Sequence, residues 1–188
     1  MGKVVLSQYV TLDGVMEDPG GQTIFKDDNW HFSFWSDDFG KWKHEELFQA
    51  GAYLLGRRTY QEFAAVWPHI TDETGFADRM NRMPKYVVSM TLSEVAWNNS
   101  HLLTGNIAHA VEQLKQEVEH DILVAGSGQL VRLLEQHDLL DEYRFVIHPI
   151  VVGRGAPFFQ DLKTRRKLKL VETKAFEQGI VLLWYRPA

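Results

Sequence analysis

Two short segments constrain the fold of this chain more than anything else in it. Ala52-Tyr53-Leu54-Leu55-Gly56-Arg57-Arg58-Thr59-Tyr60 is an apolar run, then a glycine, two cations and a hydroxyl where a helical pattern begins. Asp121-Ile122-Leu123-Val124-Ala125-Gly126-Ser127-Gly128-Gln129-Leu130 repeats the idea, with glycines at the next helix start. Each reads as a buried strand feeding a helix N-terminus through a tight turn. Unpaired backbone N–H groups and the helix dipole attract an anion at such an end. Missing side chains let a ligand touch the backbone. Two such turns, one carrying a basic pair, point to a ligand with several phosphates.

The rest of the chain alternates in the same way. Val4–Val10 reads as a central strand, apolar on both faces, turned over by Thr11-Leu12-Asp13-Gly14. Helices are expected at Lys41–Gln49, Thr59–Val66, Phe76–Met83, Ile107–Val118 and Gln129–Gln136. Strands are expected at Ala52–Leu55, Tyr86–Ser89, His101–Leu103, Ile122–Ala125 and Tyr143–Val152. Leu168–Ala175 and Ile180–Tyr185 form a closing hairpin around Glu177-Gln178-Gly179. This is an α/β fold, its sheet parallel in the middle with an antiparallel edge. Glu17–Asp38 is a long loop carrying Phe25, Trp30, Phe32, Phe34 and Trp35, too aromatic to be disordered.

At 188 residues the chain is expected to be one domain, 1–188, with a sizeable core. Net charge is −5, from 20 basic and 25 acidic residues, which disfavours nucleic acid as a partner. Absence of cysteine rules out disulfides and thiol nucleophiles. No apolar run reaches membrane-spanning length and the N-terminus lacks a signal-peptide pattern. A cytoplasmic protein is expected. The histidines have no metal-ligand spacing, so no metal is expected. His44, His69, His101, His109, His120 and His137 read as surface residues, while His148 ends a strand at a cleft or dimer edge. No nucleophile elbow supports a hydrolase.

Gly56-Arg57-Arg58-Thr59-Tyr60 resembles the strand-to-helix motif of dihydrofolate reductases, and Val124-Ala125-Gly126-Ser127-Gly128-Gln129 their second glycine turn. Thr11-Leu12-Asp13-Gly14 is similar to the reductase domain of bacterial riboflavin biosynthesis. So is Asp141-Glu142-Tyr143-Arg144 leading to His148-Pro149-Ile150-Val151-Val152-Gly153-Arg154-Gly155. Four motifs in order cover nearly the whole chain. The resemblance is to stand-alone proteins of the riboflavin-biosynthesis reductase (RibD) C-terminal domain family. It implies a dihydrofolate reductase-like three-layer fold, a mixed central sheet flanked by helices. It also implies an NADPH-dependent reductase, with hydride passing to a pterin- or ribosylaminopyrimidine-type acceptor, and often a homodimer.

By resemblance, Gly56, Arg57, Arg58 and Thr59 meet the NADPH phosphates, and an arginine fork favours NADPH over NADH. Gly126, Ser127 and Gly128, followed by Gln129 and Leu130, lie against the pyrophosphate or nicotinamide side, with a cis peptide at Gly126–Ser127. Ser89 and Thr91 approach the adenosine ribose or its phosphate, and Gly14 adjoins the cofactor. The residues also have blander readings. Arg57 and Arg58 can pair with surface carboxylates. The glycines can be a plain strand–helix turn, and Ser89 and Thr91 plain turn chemistry.

On the acceptor side Asp13 is the first candidate to polarise or protonate the substrate, against capping of its own turn. Dihydrofolate reductases use a first-helix carboxylate instead; Asp37, Asp38, Glu45 and Glu46 stand in that region without a clean match. The aromatic loop Phe25–Trp35 is expected to act as a lid. The closing strands, with Phe158 and Phe159, offer apolar surface for a homodimer. The alternative is a non-catalytic nucleotide-binding dimeric module that keeps the fold.

Overall fold

Eight strands form one mixed sheet in a computed structural model that describes residues 1–21, 29–159 and 165–188. The strands are β1 (Val4–Thr11), β2 (Ala50–Gly56), β3 (Lys85–Val88), β4 (Ser100–Leu103), β5 (Asp121–Ala125), β6 (Glu142–His148), β7 (Leu168–Ala175) and β8 (Val181–Pro187). Their order is β4-β3-β2-β5-β1-β6-β8-β7. The α-helices are α1 (Asp37–Gln49), α2 (Arg57–Val66), α3 (Phe76–Arg82), α4 (Ile107–Glu117) and α5 (Gly128–Gln136). The α/β class and the antiparallel C-terminal hairpin match the sequence reading. No helix among the described residues is long and apolar enough to cross a membrane.

The chain divides into two compact units, Met1–Val5 with His44–Asp141, and Leu6–Lys43 with Glu142–Ala188. In the first unit β3 pairs in parallel with β2 and β4, and β2 with β5. Parallel strands need crossovers: α2 and α3 lie between β2 and β3, the helix-free residues 89–99 join β3 to β4, and α4 leads from β4 into β5. Val5, Leu47, Tyr53, Leu55, Met80, Val87, Trp97 and Leu123 form its core. The Asn106 side chain caps α4 by accepting from His109 N–H at 3.2 Å. α3 ends at Met83-Pro84, and its terminal carbonyls find a donor in Lys85. That side chain is fully buried. Its Nζ donates to Met80, Asn81 and Met83 carbonyls at 2.8, 3.0 and 2.8 Å, beneath the Trp97 ring. Burial pulls the Lys85 pKa down to about 8.

In the second unit β8 pairs antiparallel with both β6 and β7. Phe39, Val146, Phe176, Ile180 and Leu182 make its core, with Trp30 and Val15 in a neighbouring cluster. β6 stops at His148, four residues short of the sequence expectation, because Pro149 cannot donate to the ladder. α1 begins at Asp37, earlier than expected. Asp38 closes its first turn by accepting from Ser36 Oγ at 2.6 Å and Phe39 N–H at 2.8 Å. Glu142 is fully buried between Arg144, at 3.1 Å, and Arg186, at 2.8 Å.

Candidate functional site

The two glycine turns lie side by side. β2 and β5 run in parallel register, Leu54 opposite Val124 and Leu55 opposite Ala125, so both chains leave the sheet at the same level. A Cβ on Gly56 would strike the Ser127 hydroxyl, and one on Gly126 would come within 2.5 Å of Thr59 Oγ1. The glycines are therefore required by the opposite turn. Gly126 and Ser127 both take left-handed conformations, φ +63° and +60°. The Gly126–Ser127 bond is trans, not the cis bond the resemblance implies, and the reversal is made by these two residues instead.

Both helices that leave these turns lack a side-chain cap. Gly56 before α2 has no side chain to offer, and Ser127 before α5 makes no capping bond. Two uncapped N-termini at the C-terminal ends of adjacent parallel strands form an anion-attracting pair.

The basic pair at the start of α2 is exposed. Arg57 Nη1 donates to Gln61 Oε1 at 3.1 Å, and Arg58 Nε to Glu62 Oε1 at 3.1 Å. Both are one-turn pairs along α2, easily exchanged for a stronger anion. Thr59 is buried, Gln129 exposed, and Leu130 packed into the core. Any contact Leu130 makes with a ligand is through its backbone. Ser89 Oγ accepts from Thr91 N–H at 3.1 Å and Leu92 N–H at 3.0 Å, a turn motif that leaves the exposed Thr91 hydroxyl at the surface. Gly14, at φ +81°, has open space where a side chain would be.

Asp13 is held by its own neighbourhood. Its carboxylate accepts from Thr11 Oγ1 at 2.5 Å, Gly153 N–H at 2.8 Å and Val152 N–H at 3.4 Å. The Thr11 hydroxyl first, and then the Gly153 amide, keep its pKa below the usual carboxylate value. Asp38, in the first turn of α1, is similarly engaged by the Ser36 hydroxyl and the Phe39 N–H. Asp37 and Glu45 are exposed, and Glu46 is buried.

A feature the sequence did not signal sits in the second unit. His31 and His148 are buried, and Nδ1 of His31 lies 2.9 Å from Nε2 of His148. Tyr9 stacks on His31 at 4.3 Å, Trp30 and Phe39 meet His148 edge-on, and Phe32 and Trp35 flank His31. Burial lowers the pKa of His31 to about 3 and of His148 to about 4. The lid expectation falls partly here: Phe25 lies outside the described residues, and Trp30 and His31 are anchored in packing, while Phe32 and Trp35 stay exposed.

A model of the RibD C-terminal domain matches residues 2–182. The uncharacterized protein YyaP of Bacillus subtilis is 31% identical over 188 residues, 97% of this chain and 94% of that protein. Two solved structures share the fold. One is a diaminohydroxyphosphoribosylaminopyrimidine deaminase/5-amino-6-(5-phosphoribosylamino)uracil reductase from Thermotoga maritima, with TM-score 0.66 and 18% identity, over 100% of this chain and 57% of that one. The other is the dihydrofolate reductase of Enterococcus faecalis complexed with NADP(H), with TM-score 0.63 and 12% identity, over 99% and 96% of the two chains.

Proposed function

The chain belongs to the RibD C-terminal domain family, and from that premise we propose that it is an NADPH-dependent reductase of a small, flat, polar heterocycle. The observation that carries the reading is the pair of uncapped helix N-termini at the abutting glycine turns. Amides at the starts of α2 and α5 are suited to pyrophosphate, and Arg57 and Arg58 to a 2′-phosphate once they exchange Gln61 and Glu62 for it. Ser89 and Thr91 complete the proposed cofactor contacts, with Ser127, Gly128 and Gln129 opening α5. When bound, the cofactor supplies the hydride. The chain binds it, fixes its orientation and excludes water.

Asp13 stays on the acceptor side of this proposal as an ionised carboxylate. Three donors hold it in the charged form, which suits orienting an acceptor better than giving it a proton. A homodimer is part of the reading: Phe159, Leu170 and Val171 are large, apolar and exposed around the last strands, whereas Phe158, expected on that surface, is buried. The test is a screen of pterin- and aminopyrimidine-type acceptors with NADPH, followed by loss of nicotinamide absorbance. Binding of NADPH without turnover on any acceptor would favour the non-catalytic nucleotide-binding module.

A further inference from the structure

The His31–His148 pair has a fixed direction. Nδ1 of His148 lies 3.1 Å from the Val146 carbonyl, and the Val10 carbonyl is a further acceptor beside the ring. A carbonyl only accepts, so this nitrogen carries a proton. In a neutral ring Nε2 is then a bare acceptor, and it faces Nδ1 of His31 at 2.9 Å. His31 must donate from Nδ1, which leaves its own Nε2 as a lone pair. Burial and the nearby Lys43 charge keep this end of the network neutral.

Nε2 of His31 has no partner among the described residues. Its surroundings resemble a stacking platform. Tyr9 backs the ring at an interplanar angle of 26°, and Phe32 and Trp35 beside it are 58% and 44% exposed. Buried Trp30 and Phe39 wedge His148 from behind. The two rings are buried, yet His31 Nε2 is not among the buried unpartnered atoms, so this lone pair is open to a ligand beside exposed aromatic faces.

We propose that His31 Nε2 is a specificity-determining acceptor that reads a ring N–H of a flat heterocycle stacked on Phe32 or Trp35, with His148 as its positioning residue. The inference deepens the acceptor side of the reductase reading and rests on it for the claim that the bound heterocycle is the one reduced. The recognition itself needs no cofactor. A site that offers only an acceptor rejects a ligand lacking the donor, because the lone pair is then left desolvated.

The tautomers are read directly by two-bond 15N NMR of the histidine rings at neutral pH. Both His31 and His148 are expected in the Nδ1–H form; an Nε2–H form at His31 overturns the proposal. Binding is read by tryptophan fluorescence without cofactor, using 5-aminouracil and 5-amino-1,3-dimethyluracil, which keeps the ring but loses both ring N–H groups. The parent should bind about tenfold tighter or more. His31→Phe should erase that ratio and leave NADPH affinity unchanged. Equal binding of the two probes, or binding of neither, overturns the proposal while the NADPH titration run in parallel still reports on the reductase reading. His148→Phe should release His31 to the Nε2–H form; if that variant does not fold, the tautomer of the unaltered protein still decides.

Discussion

A Cβ on Gly56 would collide with the hydroxyl of Ser127, although the two residues start different helices. Gly56 itself has an ordinary φ of −78°, so only sterics demand glycine there. Gly56→Ala should therefore destabilise by about 1–3 kcal/mol, the range for overpacking. Ser127→Gly should restore much of that loss, because it removes the clashing atoms and relieves a left-handed serine. Urea unfolding of the single and double variants measures this as a coupling energy. Additive effects would mean the turns do not abut.

Glu142 and its two arginines offer a second stability test. The carboxylate is fully buried, Arg144 is nearly so, and Arg186 is about half exposed. Glu142→Ala leaves cationic groups without their counter-charge and should cost about 3–5 kcal/mol. Arg186→Ala should cost about 1 kcal/mol or less, since its charge is already solvated. Equal losses in chemical denaturation would contradict this ranking.

The buried histidines give stability a pH dependence. Unfolded, each takes up a proton near the ordinary 6.5; folded, His148 waits until about 4 and His31 until about 3. The unfolded chain thus binds more protons over this interval, and stability falls as pH drops from about 6.5 towards 3. Lys43 adds like-charge repulsion to His31 on the same side. Urea midpoints across this range should decline less steeply in His31→Phe than in the unaltered protein.

Asp13→Asn separates turn-holding from work on the acceptor. An amide still accepts from Thr11 and one backbone N–H but carries no charge. NADPH affinity should be spared. Turnover with an accepted substrate should fall by about 10-fold or more if the charge orients the acceptor. Unchanged turnover would reduce Asp13 to a turn anchor.

Most of the architecture was legible in residues 50–60 and 121–130, where apolar runs meet glycines, because a parallel strand and its crossover helix leave a local pattern. What the glycines are for was not legible. Gly56 and Gly126 read as room for a ligand, yet each yields to a side chain of the other turn, a contact about 70 residues away in sequence. One carboxylate pairing of the arginines was legible, since Arg58 and Glu62 stand at i and i+4, whereas Arg57 meets the Gln61 amide. His31 was not, since a lone histidine in an aromatic loop carries no period, and its partner lies 117 positions away. Pro149 was a visible strand stop that the apolar run Ile150-Val151-Val152 obscured.

The most direct test of the account is a parallel titration of NADPH and NADH, followed by quenching of tryptophan fluorescence. The uncapped starts of α2 and α5 predict that both cofactors bind, and the exposed Arg57 and Arg58 predict that NADPH binds about tenfold tighter or more. Replacing both arginines by alanine should bring the NADPH affinity down to that of NADH. Equal affinities in the unaltered protein, or no binding of either cofactor, would contradict the account.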